Sequence, residues 1–170
     1  MFLDIGASPE HNSEQRFEVV GADAAVKHLQ QYGIADTDTH EVWTAIALHT
    51  SGGIAERISE LALLVRIAVV LDFGRFASIY HLNQSQFGFG KAGTVAFWMN
   101  YKHEIQKSLP LLYIATVLGD AVVEQALQKQ AKPPPASWPG VLLRAKLRAP
   151  DWTQVDPVFR TFKYKGAGKK

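Results

Sequence analysis

Three side chains in this sequence have the chemistry of a metal-dependent hydrolase site: Asp4, His49 and Asp72. Carboxylate and imidazole groups bind divalent metals, and a bound metal lowers the pKa of a water molecule until it becomes a nucleophile near neutral pH. Asp4 lies in a short apolar run that Gly6 closes.

Two amphipathic helices are expected to position His49 and Asp72. The first is predicted over residues 38–50, with Asp38 as its cap and Glu41 three residues later, as in a capping box. The second is predicted over residues 55–72, with a stripe at helical spacing that consists of Ile58, Leu61, Val65, Ala68 and Asp72. His49 and Asp72 each end an apolar stripe, so both side chains are expected to point into the core. A lone charge there is costly unless it is paired or bound to a metal.

The rest of the chain also favours helices, and the predicted fold class is all-α. Helices are predicted over residues 20–32, 94–109, 117–130 and 137–147, with a loop over 76–93 and an extended tail after Pro150. No segment alternates convincingly as a strand would. We expect one domain over residues 1–160, followed by a basic flexible tail over 161–170.

Net charge and composition limit the partners and the catalytic groups that the chain can have. A net charge of +2 over 170 residues does not favour nucleic acid or a membrane surface as a partner. The chain has no cysteine, which excludes disulfides, thiolate metal sites and a cysteine nucleophile. The longest apolar run, residues 61–71, contains Arg66 and is too short to span a bilayer. With no secretory signal at the start, a cytoplasmic location is expected.

Several blocks of the sequence together resemble the HD-domain superfamily, in particular its cyanamide-hydratase-like branch, which is common in fungi. The first block is Leu3-Asp4-Ile5-Gly6, and the next lie at residues 16–19, 21–25, 42–50 with 53–54, and 71–74. Two later blocks, at residues 117–123 and 137–142, are similar to the C-terminal part of the same branch.

The resemblance implies an all-helical bundle that holds a divalent metal, zinc or iron, with histidine and aspartate side chains. Many members hydrolyse phosphate esters, and cyanamide hydratases add water to a nitrile to give urea. Asp4 matches the aspartate of the family's His-Asp pair, and Asp72 matches a later aspartate. His49 matches a family histidine that is either a ligand or a proton shuttle, and Glu18 is expected to orient a ligand.

The chain also departs from the family pattern. Leu3 replaces the paired histidine, and the helix for a first histidine would lie before Met1. The remaining groups suit weak binding of a hard cation better than tight binding of zinc, so low or absent activity is expected. The alternatives are a catalytically inactive helical module that binds a partner or small ligand, and a plain helical scaffold.

Two further expectations follow from the same departures. Residues 76–116 do not match the family and are expected to be an insertion or translated non-coding sequence. A bundle that lacks one helix would expose an apolar face, so either self-association, as in a homo-oligomer, or marginal stability is expected.

Overall fold

A computed structural model of the chain describes residues 2–73, 100, 103–105, 107–109 and 114–151. The regular structure of these residues is helical, which confirms the all-α fold class. The predicted loop over 76–93, the predicted tails after Pro150 and most of the predicted helix over 94–109 lie outside the described residues, as does most of the atypical segment over 76–116. Contacts divide the chain into two compact units, residues 1–114 and 115–170, which are described separately. The single domain and the HD-like bundle stay predictions.

The first unit contains three α-helices and three short 3₁₀ helices. The α-helices are α1 (Phe17–Gln30), α2 (Asp36–Ala47) and α3 (Glu60–Asp72), and the 3₁₀ helices are Ile5–Ala7, Pro9–His11 and Ala55–Arg57. Helix α1 packs on α2, and α2 packs on α3. No helix in the described part of the chain is long and apolar enough to cross a membrane.

An apolar seam explains why α1 and α2 pack against each other. Its buried members are Ala22, Ala25, Ile46 and Ala47, and the partly buried Phe2, Leu3, Val42 and Trp43 pack against it. Small residues on both helices let the backbones approach closely, and the surrounding larger side chains cover the seam. Ala22 and Ala25 on α1 and Ile46 on α2 thus form the buried faces of the two helices.

The start of α2 differs from the predicted capping box. The helix begins at Asp36 with Ala35 at the cap position, and no side chain accepts a hydrogen bond there. Asp38 lies inside the first turn, where its negative charge still interacts favourably with the helix dipole. The prediction that Asp38 caps α2 is wrong because the chain becomes helical two residues earlier.

The third helix is also shorter than predicted, and its buried face differs. Ser59 is extended and its hydroxyl accepts a hydrogen bond from the Ala62 amide at 3.2 Å, so α3 begins only after it. The predicted apolar stripe started at Ile58, which lies before this cap and is 52% exposed. The buried face instead contains Ala62, Leu63, Ile67, Val70 and Leu71. Asp72 is exposed, so its predicted burial is wrong.

Two glycines hold the N-terminal segment against α1. A methyl group at Gly21 would overlap the carbonyl oxygen of Phe2, and one at Gly6 would overlap the carbonyl oxygen of Phe17. Larger residues at either position would therefore push the segment away from the helix. Because Asp4 lies between these two contacts along the segment, the glycines fix its position.

The second unit is described from Ala115 to Asp151 and contains most of α4 (Ile114–Gln128) and all of α5 (Trp138–Arg148). Leu118, Val122 and Ala126, which recur at helical spacing, are buried on α4. Ser137 caps α5 by accepting a hydrogen bond from the Gly140 amide at 3.2 Å, in agreement with the helix predicted over residues 137–147.

Candidate functional site

His49 is the most buried ionisable ring at the candidate site. It follows the end of α2 in a turn, it is 2% exposed, and the ring of Phe17 meets it edge-on at 5.7 Å between centroids. Its Nδ1 lies 2.7 Å from the carbonyl oxygen of Ile46. A carbonyl oxygen only accepts, so Nδ1 carries the hydrogen and Nε2 of the neutral ring keeps its lone pair.

Asp4 lies opposite that lone pair. Its Oδ1 is 3.7 Å from Nε2 of His49, which is longer than a hydrogen bond. Asp4 occupies the cap position of the first 3₁₀ helix, but its carboxylate makes no capping hydrogen bond. The structure therefore brings together two of the predicted site residues, one from the N-terminal segment and one from the end of α2.

The electrostatic environment of Asp4 favours its protonated form. Burial raises the pKa of Asp4 above its ordinary value, and the negative charges of Asp72 and Glu18 act in the same direction, whereas the positive charge of His49 in its protonated form lowers it. The same surroundings would favour a bound cation, because a positive charge relieves the repulsion among the carboxylates.

Asp72 contributes to this environment from the last residue of α3. Its charge reaches Asp4, but its side chain is exposed rather than buried in the core. Its predicted role as a metal ligand stays a prediction.

Glu18 holds the turn that carries His49. Its Oε1 accepts hydrogen bonds from Arg16 at 2.8 Å and from the hydroxyl of Thr50 at 2.7 Å, while the whole side chain is buried. Its Oε2 has no hydrogen-bond partner among the described residues. Glu18 thus bonds to the residue after His49, and its predicted role in orienting a ligand stays a prediction.

Arg66 and Glu56 also contact this turn, and the sequence reasoning did not single them out. Arg66 Nη1 donates to the carbonyl oxygen of His49 at 3.0 Å, and Arg66 Nε donates to Glu56 Oε1 at 3.1 Å. The sequence signal for this contact was Arg66 itself. It is a single charge inside an apolar run, and such a charge requires a buried partner.

Nε2 of His49 and Oδ1 of Asp4 face each other at a separation that fits two ligands of one divalent cation. Two ligand atoms about 2.1 Å from one tetrahedral zinc ion lie roughly 3.4 Å apart, which is close to the separation of Nε2 and Oδ1. However, the described residues contain no group of three or more histidine or acidic side chains that could hold a metal ion. Asp4 and His49 therefore provide two ligand-type atoms, fewer than the three or four protein ligands of a typical zinc site.

Comparisons of the chain with known proteins found no match. No protein-family model, curated protein or solved structure matches the chain. The functional interpretation therefore rests on the sequence blocks and on the arrangement of these side chains.

Proposed function

We propose that the chain is a hydrolase or hydratase of the HD superfamily, similar to cyanamide hydratases, with a weakened metal centre. The single observation that supports this function is the orientation of His49. A backbone carbonyl fixes its Nδ1, and its Nε2 points at a carboxylate 3.7 Å away. Histidines that bind metals or move protons commonly have one ring nitrogen held in this way while the other works.

The substrate that we propose is a small nitrile, to which water is added to give an amide or urea. Asp4 and His49 would hold a divalent cation such as zinc or iron, with Asp72 as the third predicted ligand, and that cation would lower the pKa of a bound water. The chain's own residues orient the reaction. His49 acts either as a ligand of that cation or as a proton shuttle, because its ring has one free lone pair. If the carboxylates alone hold the cation, Nε2 of His49 accepts a proton from water and the neighbouring Asp4 carboxylate stabilises the imidazolium that forms. A cytoplasmic location and a small-molecule substrate belong to the same proposal.

Release of urea from cyanamide tests this function. We expect slow turnover that zinc or iron stimulates, and we expect His49→Ala and Asp4→Asn to abolish it. His40→Ala is the matched control, because His40 is an exposed histidine stacked on Trp43. Fast turnover with stoichiometric metal would show that Leu3 does not weaken the centre. No turnover with any divalent cation would overturn the proposed activity.

A second candidate is a catalytically inactive helical module that binds a partner or a small ligand. The observation that favours it is Leu3, which packs against the apolar seam between α1 and α2 instead of supplying an imidazole. Leu3→His separates the two candidates. For a weakened metal centre it should raise zinc affinity by at least about tenfold, or ~1.4 kcal/mol. In an inactive module it should change only stability.

A further inference from the structure

The turn that carries His49 is fixed from the α3 side by a buried ion pair. Arg66 donates to Glu56 Oε1 at 3.1 Å, and the side chains of Arg66 and Glu56 are only 12% and 6% exposed. A buried pair of this kind contributes little net stability, because desolvation offsets the attraction. Its role is better explained by what it holds in place.

The hydrogen bonds of the pair converge on one stretch of backbone. Arg66 Nη1 donates to the carbonyl oxygen of His49 at 3.0 Å, and Glu56 Oε2 accepts from the amide of Gly53 at 2.6 Å. Both ends of the turn between α2 and the following 3₁₀ helix are therefore tied to the same two side chains. Glu18 and Thr50 hold the turn from the α1 side.

We infer that Arg66 and Glu56 are positioning residues for His49, a role that rests on the proposed function. Arg66 fixes the carbonyl of His49 while the carbonyl of Ile46 fixes its ring, so the backbone and side chain have one orientation. Without Arg66, the turn can rotate and Nε2 no longer faces Asp4. Outer partners that orient a metal-binding histidine typically affect metal affinity by about 10- to 100-fold.

Imidazole ¹⁵N chemical shifts of the 170-residue chain, recorded without a cation, test this role. In the wild type we expect His49 as a single Nδ1–H tautomer. In Arg66→Met we expect a mixture of tautomers and a loss of zinc affinity of about 10- to 100-fold. Arg66→Lys, which can restore one donor, should give an intermediate result. Arg57→Met is the matched control, because Arg57 donates to the carbonyl oxygen of Gly53 at 2.6 Å but is exposed.

A folded Arg66→Met protein with an unchanged Nδ1–H signal would overturn the inference, as would an equal effect of Arg57→Met. If Arg66→Met does not fold, Arg66→Lys and Glu56→Gln decide the question by the same ¹⁵N shifts. The failure of the proposed function is distinguishable. If the wild type does not bind zinc, that function fails, whereas the tautomer comparison still tests the positioning role.

Discussion

The two compact units differ in the chemistry of the side chains that they bury. In the first unit Glu18, His49 and Glu56 are buried, and their contacts surround one turn. In the described part of the second unit no ionisable side chain is buried, and its buried polar side chain is Gln125. Burying ionisable groups is costly, and their concentration around one turn supports the proposal that this turn carries the functional site.

The largest expected effects come from removing one buried group in each unit. Glu56→Ala leaves Arg66 buried without its partner and should lower the free energy of unfolding by about 3–5 kcal/mol. Leu142→Ala creates a cavity in the second unit and should cost about 2–5 kcal/mol. Denaturant unfolding measures both. Only Glu56→Ala should also alter the imidazole shifts of His49, and an equal change in Leu142→Ala would break the comparison.

A smaller effect is expected from Gly21→Ala. The added methyl group overlaps the carbonyl oxygen of Phe2, so the N-terminal segment must shift, at a cost of about 1–3 kcal/mol. Asp4 moves with the segment, and zinc binding should weaken. The control is Gly33→Ala, which strains a backbone with φ of +69° but has nothing near its Cβ position. Titration with zinc should separate the two variants, and similar affinities in both would contradict this account.

The pH dependence of stability provides a subtler test. The folded state binds the Asp4 proton more tightly than the unfolded state, because the pKa of Asp4 is raised by burial. Stability from this group therefore rises as the pH falls through the raised pKa, and it is complete below the ordinary value. The free energy of unfolding of the wild type minus that of Asp4→Asn should increase on acidification. A difference that decreases would contradict the raised pKa.

The smallest effects should be equal in the two units. Ser59 and Ser137 each accept one hydrogen bond from a first-turn amide at 3.2 Å, at the starts of α3 and α5. Ser59→Ala and Ser137→Ala should each cost about 1 kcal/mol in thermal or denaturant unfolding. A much larger loss for Ser59→Ala would show that the first unit depends on more than its buried groups.

Local sequence signals predicted most helices but not the details that form the site. The helix predicted over residues 137–147 agrees with α5, because the signal for its start, the cap at Ser137, lies within four residues. The buried stripe of α3 was predicted in the wrong phase, because the helix begins after its cap at Ser59. Hydrophobic periodicity alone does not locate that cap. Asp4 and His49 were expected to be neighbours, yet the contacts of Arg66 depend on how α3 packs beside the turn. Such long-range contacts leave no periodic signal.

The most direct test of the central claim is the NMR signal of the His49 imidazole during a zinc titration of the 170-residue chain. We expect zinc to change the ¹⁵N chemical shift of Nε2 until the site is saturated. We also expect the zinc affinity to rise with pH, because ionised Asp4 binds the cation and a proton on Asp4 competes with it. Asp4→Asn should weaken binding by at least about tenfold, or ~1.4 kcal/mol, whereas His40→Ala should not change it. A His49 signal that does not respond to zinc would contradict a cation site between Asp4 and His49.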